Sequence, residues 1–77
     1  MPASVTLTVT RDSKLFLDKT PVTLETMAAT LKPMLTPEDP GVVVNADSAA
    51  PEGIVVQAML QARRAGVEHF LIAVRRE

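Results

Sequence analysis

The chain has no cysteine, tryptophan or tyrosine, and two phenylalanines among 77 residues. Without cysteine there is no disulfide, no thiol nucleophile and no thiolate metal ligand, and the redox state of the compartment leaves no mark. The scarcity of rings removes the platforms on which unpaired bases stack. A formal net charge of −1 draws no polyanion, so nucleic acid is not an expected partner. One histidine and no cysteine argue against zinc, and neither a metal nor another cofactor is expected. No run approaches the roughly 18 apolar residues of a membrane span, and Met1 to Thr10 alternates where a signal peptide would be continuously apolar. The chain as it stands reads as soluble, and Met1-Pro2-Ala3-Ser4 suits a natural start as well as a boundary within a longer protein.

What is present is an ordinary globular balance, with 47% hydrophobic and 22% charged residues. A chain of this length buries only about 60% of its unfolded surface, so residues 1–77 are expected to form one small domain around one core.

In SVTLTVTR, Val5, Leu7 and Val9 alternate with Thr6, Thr8 and Thr10, the period of a strand with one buried and one wet face. Arg11-Asp12-Ser13-Lys14 reads as a hairpin turn and Leu15-Phe16-Leu17 as the returning strand; Asp18-Lys19-Thr20 turns again toward a very short strand at Pro21-Val22. Thr23 is an N-cap type, Glu25 suits the first turn, and Leu24, Met27, Ala28, Leu31, Met34 and Leu35 recur at helical spacing. Pro33 removes a backbone donor and clashes one turn back, which predicts a kink or an end near Lys32. Thr36 to Gly41 follows as a loop, and the unalternated Val42-Val43-Val44 reads as a central strand. A second helix is predicted over Pro51 to Ala65, with proline at the first position, Glu52 on the positive end of the dipole and Gly66 as a left-handed cap. Val67 to Val74 then forms the last strand, with Phe70, Ile72 and Val74 on one face.

The fold class is therefore α+β, in the order ββαβαβ: a two-layer sandwich with a mixed sheet and two helices packed on one face. The strand–helix–strand piece around the second helix should be a right-handed crossover that places its two strands parallel. The other sheet face, partly lined by Thr6, Thr8 and Thr10, is left bare.

Asp47 ends the Val42 strand ahead of a helix. Asn45, Ser48 and Glu52 nearby supply neither a second base nor a nucleophile pair, so no catalytic residue is assigned and no enzyme is expected. Turn chemistry suits an aspartate there, and a binding contact suits the carboxyl end of an α/β strand. His69 reads as a solvated strand residue opposite the Phe70 face, and Glu38-Asp39 as a solvated loop. Arg63-Arg64 and Arg75-Arg76 suit a helix end and a charged tail, or an anionic partner. On the second helix Val55, Ala58, Met59 and Ala62 make the sheet-facing stripe, yet Val56 and Leu60 lie on one flank and Ile54 on the other. Two readings stay open for that excess: burial of Val56 and Leu60 against another chain, or loop cover and ordinary exposed apolar surface. An open sheet also offers unpaired edges to which an extended segment adds as a strand. Leu15 to Leu17 and the final strand are the expected edges.

Three stretches carry a family resemblance. LFLDKTPVTLETMAATLKPML, VVVNADSAAPEG and IVVQAMLQARRAGVEHFLIAV together resemble the periplasmic domain of the ExbD/TolR family, membrane-anchored parts of proton-driven motors in Gram-negative envelopes. The likeness runs from about Val5 to Val74, with Ala46-Asp47, Pro51, Gly53, Val55, Val56, Met59, Ala65, Gly66 and Val67 in register. Glu52 stands where tyrosine is usual, and Ala49-Ala50 replaces a commonly charged and apolar pair. The resemblance implies a periplasmic domain tethered to the inner membrane by a helix absent from this chain. It also implies a homodimer, an ExbB/TolQ-like channel subunit met through that helix, a TonB- or TolA-like transducer, and in some members the peptidoglycan wall. Asp47, Pro51 and Glu52 at the strand-to-helix turn, Val56 and Leu60 on the helix flank, and Leu15 and Leu17 as an edge are the binding residues that follow. The alternative is a stand-alone cytosolic α/β module, ligand-binding or regulatory.

Overall fold

A computed structural model describes residues 5–38 and 41–75. Met1 to Ser4, Asp39, Pro40, Arg76 and Glu77 lie outside the described residues, and with them part of the acidic loop and of the basic tail. The elements run β1 (Val5–Val9), β2 (Leu15–Leu17), β3 (Thr20–Val22), α1 (Leu24–Leu31), β4 (Gly41–Asp47), α2 (Glu52–Arg64) and β5 (His69–Arg75). The five strands form one mixed sheet in the order β3-β2-β1-β4-β5, and the two helices complete a two-layer α+β sandwich.

The alternation in β1 sets the face. Leu7 lies opposite Leu17 of β2 and Val44 of β4, and all three are fully buried. Thr6 and Thr8 point the other way, beside Val43 and Asn45. Both helices contribute to the core on the Leu7 side: α1 buries Met27 and Leu31, and α2 buries Ala58 and Ala62, with Ile54, Val55 and Met59 partly buried against them. Each large buried side chain contributes about 1.5–3 kcal/mol. The alanines of α2 add little area of their own.

Local chemistry explains the element ends. Thr23 accepts from the Thr26 amide at 3.2 Å, and the Thr26 hydroxyl accepts from the Thr23 amide at 2.9 Å, which satisfies two groups at the start of α1. After Leu31 the chain tightens into a 3₁₀ turn over Lys32–Met34, with Pro33 inside it, so the helix ends where the proline predicts. Pro51 is the N-cap of α2 and not its first helical residue. At the other end Ala65 is the C-cap, and the amides of Gly66 and Val67 bond back to Arg63 and Ala62 at 3.0 and 3.2 Å. That is a Schellman closure, and Gly66 meets its demand for positive φ with a value of 113°.

Two expectations are corrected. β2 is no edge: it pairs with β1 on one side and β3 on the other, and Leu15 and Leu17 are buried at 4% and 0% exposure. The short Thr20–Val22 strand takes the border instead, because the Asp18-Lys19 turn folds it back onto β2. Val42–Val44 is interior as expected, flanked by β1 and β5. The last strand is an edge as expected, although it starts at His69 because Gly66 and Val67 are spent on closing α2.

Candidate functional site

Asp47 closes β4 and is 7% exposed. Its Oδ1 accepts the Ala49 amide at 2.8 Å, and its main-chain carbonyl accepts the Ala50 amide at 2.9 Å, so side chain and backbone together bend the chain into α2. Oδ2 meets the Arg11 guanidinium at 3.2 Å. Arg11 comes from the β1–β2 loop, where the Thr10 amide bonds to the Lys14 carbonyl at 3.0 Å and the Ser13 amide to the Thr10 carbonyl at 3.1 Å. Asp12 in the same loop accepts the Thr10 hydroxyl, and that bond is the main reason its carboxyl is held below the ordinary aspartate value. The carboxylate of Asp47 thus fastens two loops at one end of the sheet, and this is the work of a turn residue.

Beside that turn lies a groove. α2 covers β4 but stops short of the outer strand. Phe70, Ile72 and Val74 lie beside Val42, Val44 and Ala46 in the parallel register, on the helix side of the sheet. Even so, Ile72 and Val74 are 55% and 60% exposed. Val56 and Leu60 on the facing flank of α2 are 54% and 49% exposed. A hollow of about 340 Å³ is lined by Ala46, Asp47, Glu52, Val55, Val56, Ile72 and Val74 among others. A second, of about 270 Å³, is lined by Val56, Met59, Leu60, Arg63 and Phe70. Val56 belongs to both, so one apolar furrow runs along the outer strand from Asp47 to Arg63. On the opposite face Leu71 is exposed, and Asn45 sits between Thr8 and Ala73 with its side-chain oxygen buried and unpartnered.

Of the residues expected to bind, the fold brings Asp47, Glu52, Val56 and Leu60 to this furrow, with Pro51 exposed at the helix start beside it. Leu15 and Leu17 are interior to the sheet and take no part. Ile72 and Val74 were not among the expected binding residues, because the alternation of β5 marks them, with Phe70, as a core face; Leu71, on the opposite face, was not among them either. Among the described residues no three carboxylate or imidazole side chains gather as a metal site.

A family model described as biopolymer transport protein ExbD/TolR matches residues 2–77. The chain belongs to the ExbD/TolR family. Comparison with curated proteins gave no match. ExbD/TolR membership places the chain in an energy-transducing transport family whose members are accessory proteins and not enzymes. Members are anchored in the inner membrane with periplasmic domains and work with partners of the ExbB/TolQ and TonB/TolA types. No helix among the described residues is long and apolar enough to cross a membrane.

Proposed function

We propose that residues 1–77 are the periplasmic domain of a proton-motive-force-driven inner-membrane complex of the Ton or Tol type. The domain couples the motor to a TonB- or TolA-like transducer, or to the cell wall, and acts as a pair of copies beside an ExbB/TolQ-like channel subunit. Its contribution is mechanical: a rigid sheet offers an edge to which an extended segment docks.

The family match over almost the whole chain carries the reading, and the unfilled furrow between α2 and β5 supplies the docking surface. Main-chain bonds to the outer strand would give affinity to a segment of little fixed sequence, while Ile72, Val74, Val56 and Leu60 receive alternate side chains. Asp47 keeps the mouth of the furrow in shape through Ala49 and Arg11, and Glu52 stands at the same end.

The test is a photo-activated cross-linker placed at Val56 or Ile72 in the protein as expressed in its own cell, with the adducts identified by mass spectrometry. Adducts with an envelope transducer or with wall fragments are expected. Adducts with cytosolic proteins alone would overturn both the periplasmic address and the coupling role.

A further inference from the structure

The furrow beside α2 is a corner with a floor and one upright wall. The floor is the helix-side face of β5, where Phe70, Ile72 and Val74 lie beside Val42, Val44 and Ala46. The wall is α2, whose Val55, Val56, Met59 and Leu60 line the hollows of about 340 and 270 Å³. The exposed apolar surface therefore lies above the sheet: Ile72 and Val74 are 55% and 60% open, and Val56 and Leu60 54% and 49%.

That direction decides which shape fills the space. A strand added at the border lies in the plane of the sheet, about 4.8 Å beyond β5, and reaches the furrow only with alternate side chains at its rim. It leaves the floor without a roof. A helix about 10 Å across fits a corner made by a sheet below and a helix at the side, because neighbouring helices pack with their axes about 8–10 Å apart.

The two ends of the furrow carry opposite charges. Glu52 borders the hollow at the Asp47 end and Arg63 the hollow at the Phe70 end, and both are exposed. Asp47 itself is engaged by Arg11 and the Ala49 amide. From Glu52 to Arg63 the wall is about 16 Å long, or about three helical turns. A helix antiparallel to α2 sets its amino end against Arg63 and its carboxyl end against Glu52. Acids in its first turn and bases in its last then meet opposite charges, and these are the residues its own dipole favours at those ends. The parallel orientation sets like charge against like.

We propose that the furrow is roofed by an amphipathic helix of a partner protein, about twelve residues long and antiparallel to α2, with an apolar stripe at i, i+4 and i+7, an acidic first turn and a basic last turn. The inference goes beyond the docking edge proposed above. The edge of β5 takes an extended segment in the plane of the sheet, whereas the corner above β5 takes a helix.

The photo-activated cross-linker separates the two shapes by spacing. Val56 and Leu60 are one turn apart, about 6 Å along α2, which corresponds to about four residues of a helix and about two of a strand. The group is placed at each position in turn, in the protein as expressed in its own cell, and the captured partner residue is located by mass spectrometry. Moving it from Val56 to Leu60 is expected to shift the captured residue by about three or four positions toward the partner's amino end. Glu52→Lys and Arg63→Glu are each expected to lower the yield of that adduct about two- to fivefold, while Thr20→Lys on β3 leaves it unchanged. A shift of about two positions would put an extended segment in the furrow and overturn the helix. A shift toward the carboxyl end, or charge variants with undiminished yield, would overturn the antiparallel orientation. Adducts only with a second copy of this chain, or none at either position, would overturn the partner helix. Helical spacing in cytosolic proteins alone would uphold the helix and overturn the coupling role.

Discussion

Asp47 shows how one side chain serves a turn without doing chemistry. Oδ1 holds the Ala49 amide at 2.8 Å and Oδ2 the Arg11 guanidinium at 3.2 Å, from a position 7% exposed. Asparagine keeps an oxygen for the amide and loses the charge, while alanine leaves the amide without its acceptor in a partly buried place. Asp47→Asn is therefore expected to cost about 1 kcal/mol and Asp47→Ala about 2–3 kcal/mol in urea unfolding, both with unchanged m-values. Equal losses in the two variants would mean that the Arg11 contact, and not the turn, carries the effect. The turn role was legible in the sequence because aspartate ahead of a helix has few other uses. Arg11 as its partner was not, since the pair joins residues brought together only when β1 lies beside β4. Asn45 was equally hidden: its orphaned oxygen depends on which neighbours the β4 register delivers.

Among the elements, α2 is the one whose ends decide the most, because it returns the chain from the inner strand β4 to the outer strand β5. Gly66 at φ 113° is strained for any other residue, although a methyl group added there would meet nothing closer than Leu35 at 4.0 Å. The strain is thus in the backbone, and Gly66→Ala is expected to lower stability by about 1–2 kcal/mol. Gly53 sits inside the same helix with nothing within 4 Å of such a methyl, so Gly53→Ala should raise stability by about 0.5–1 kcal/mol. Thermal melts of the two variants should move in opposite directions, and a shift of the same sign in both would refute the assignment of α2 and its cap. Most of this was readable from proline, glycine and the threonine cap, whose effects are confined to one turn. Strand order was not. Leu15 to Leu17 looks like a hairpin border until the three residues Thr20–Val22 are seen to pair outside it, and a strand so short has almost no periodicity to read.

At the scale of the whole molecule, five strands spaced about 4.8 Å apart are wider than two helices of about 10 Å diameter can cover once side chains at the borders are counted. One border must remain open, and the exposure of Ile72 and Val74 marks it as the β5 side. This is why Ile72 and Val74 alternate like core residues and yet stand 55% and 60% exposed: the period of a strand reports which face a residue is on, not whether anything lies above it. If the pair of copies proposed above meets at that border, folding and association are linked, because only the folded chain presents the edge. Above the dissociation constant, tenfold more protein should then raise the melting temperature by about 4 °C, since the pair gains about 1.4 kcal/mol shared between two chains of this size. Ile72→Lys puts a charge on that border, removes only a half-exposed side chain from the monomer, and should abolish the concentration dependence while leaving the melt cooperative. A melting temperature independent of concentration in the unmodified chain, across a range where sedimentation still shows a dimer, would mean that the two copies meet somewhere other than the edge that folding creates.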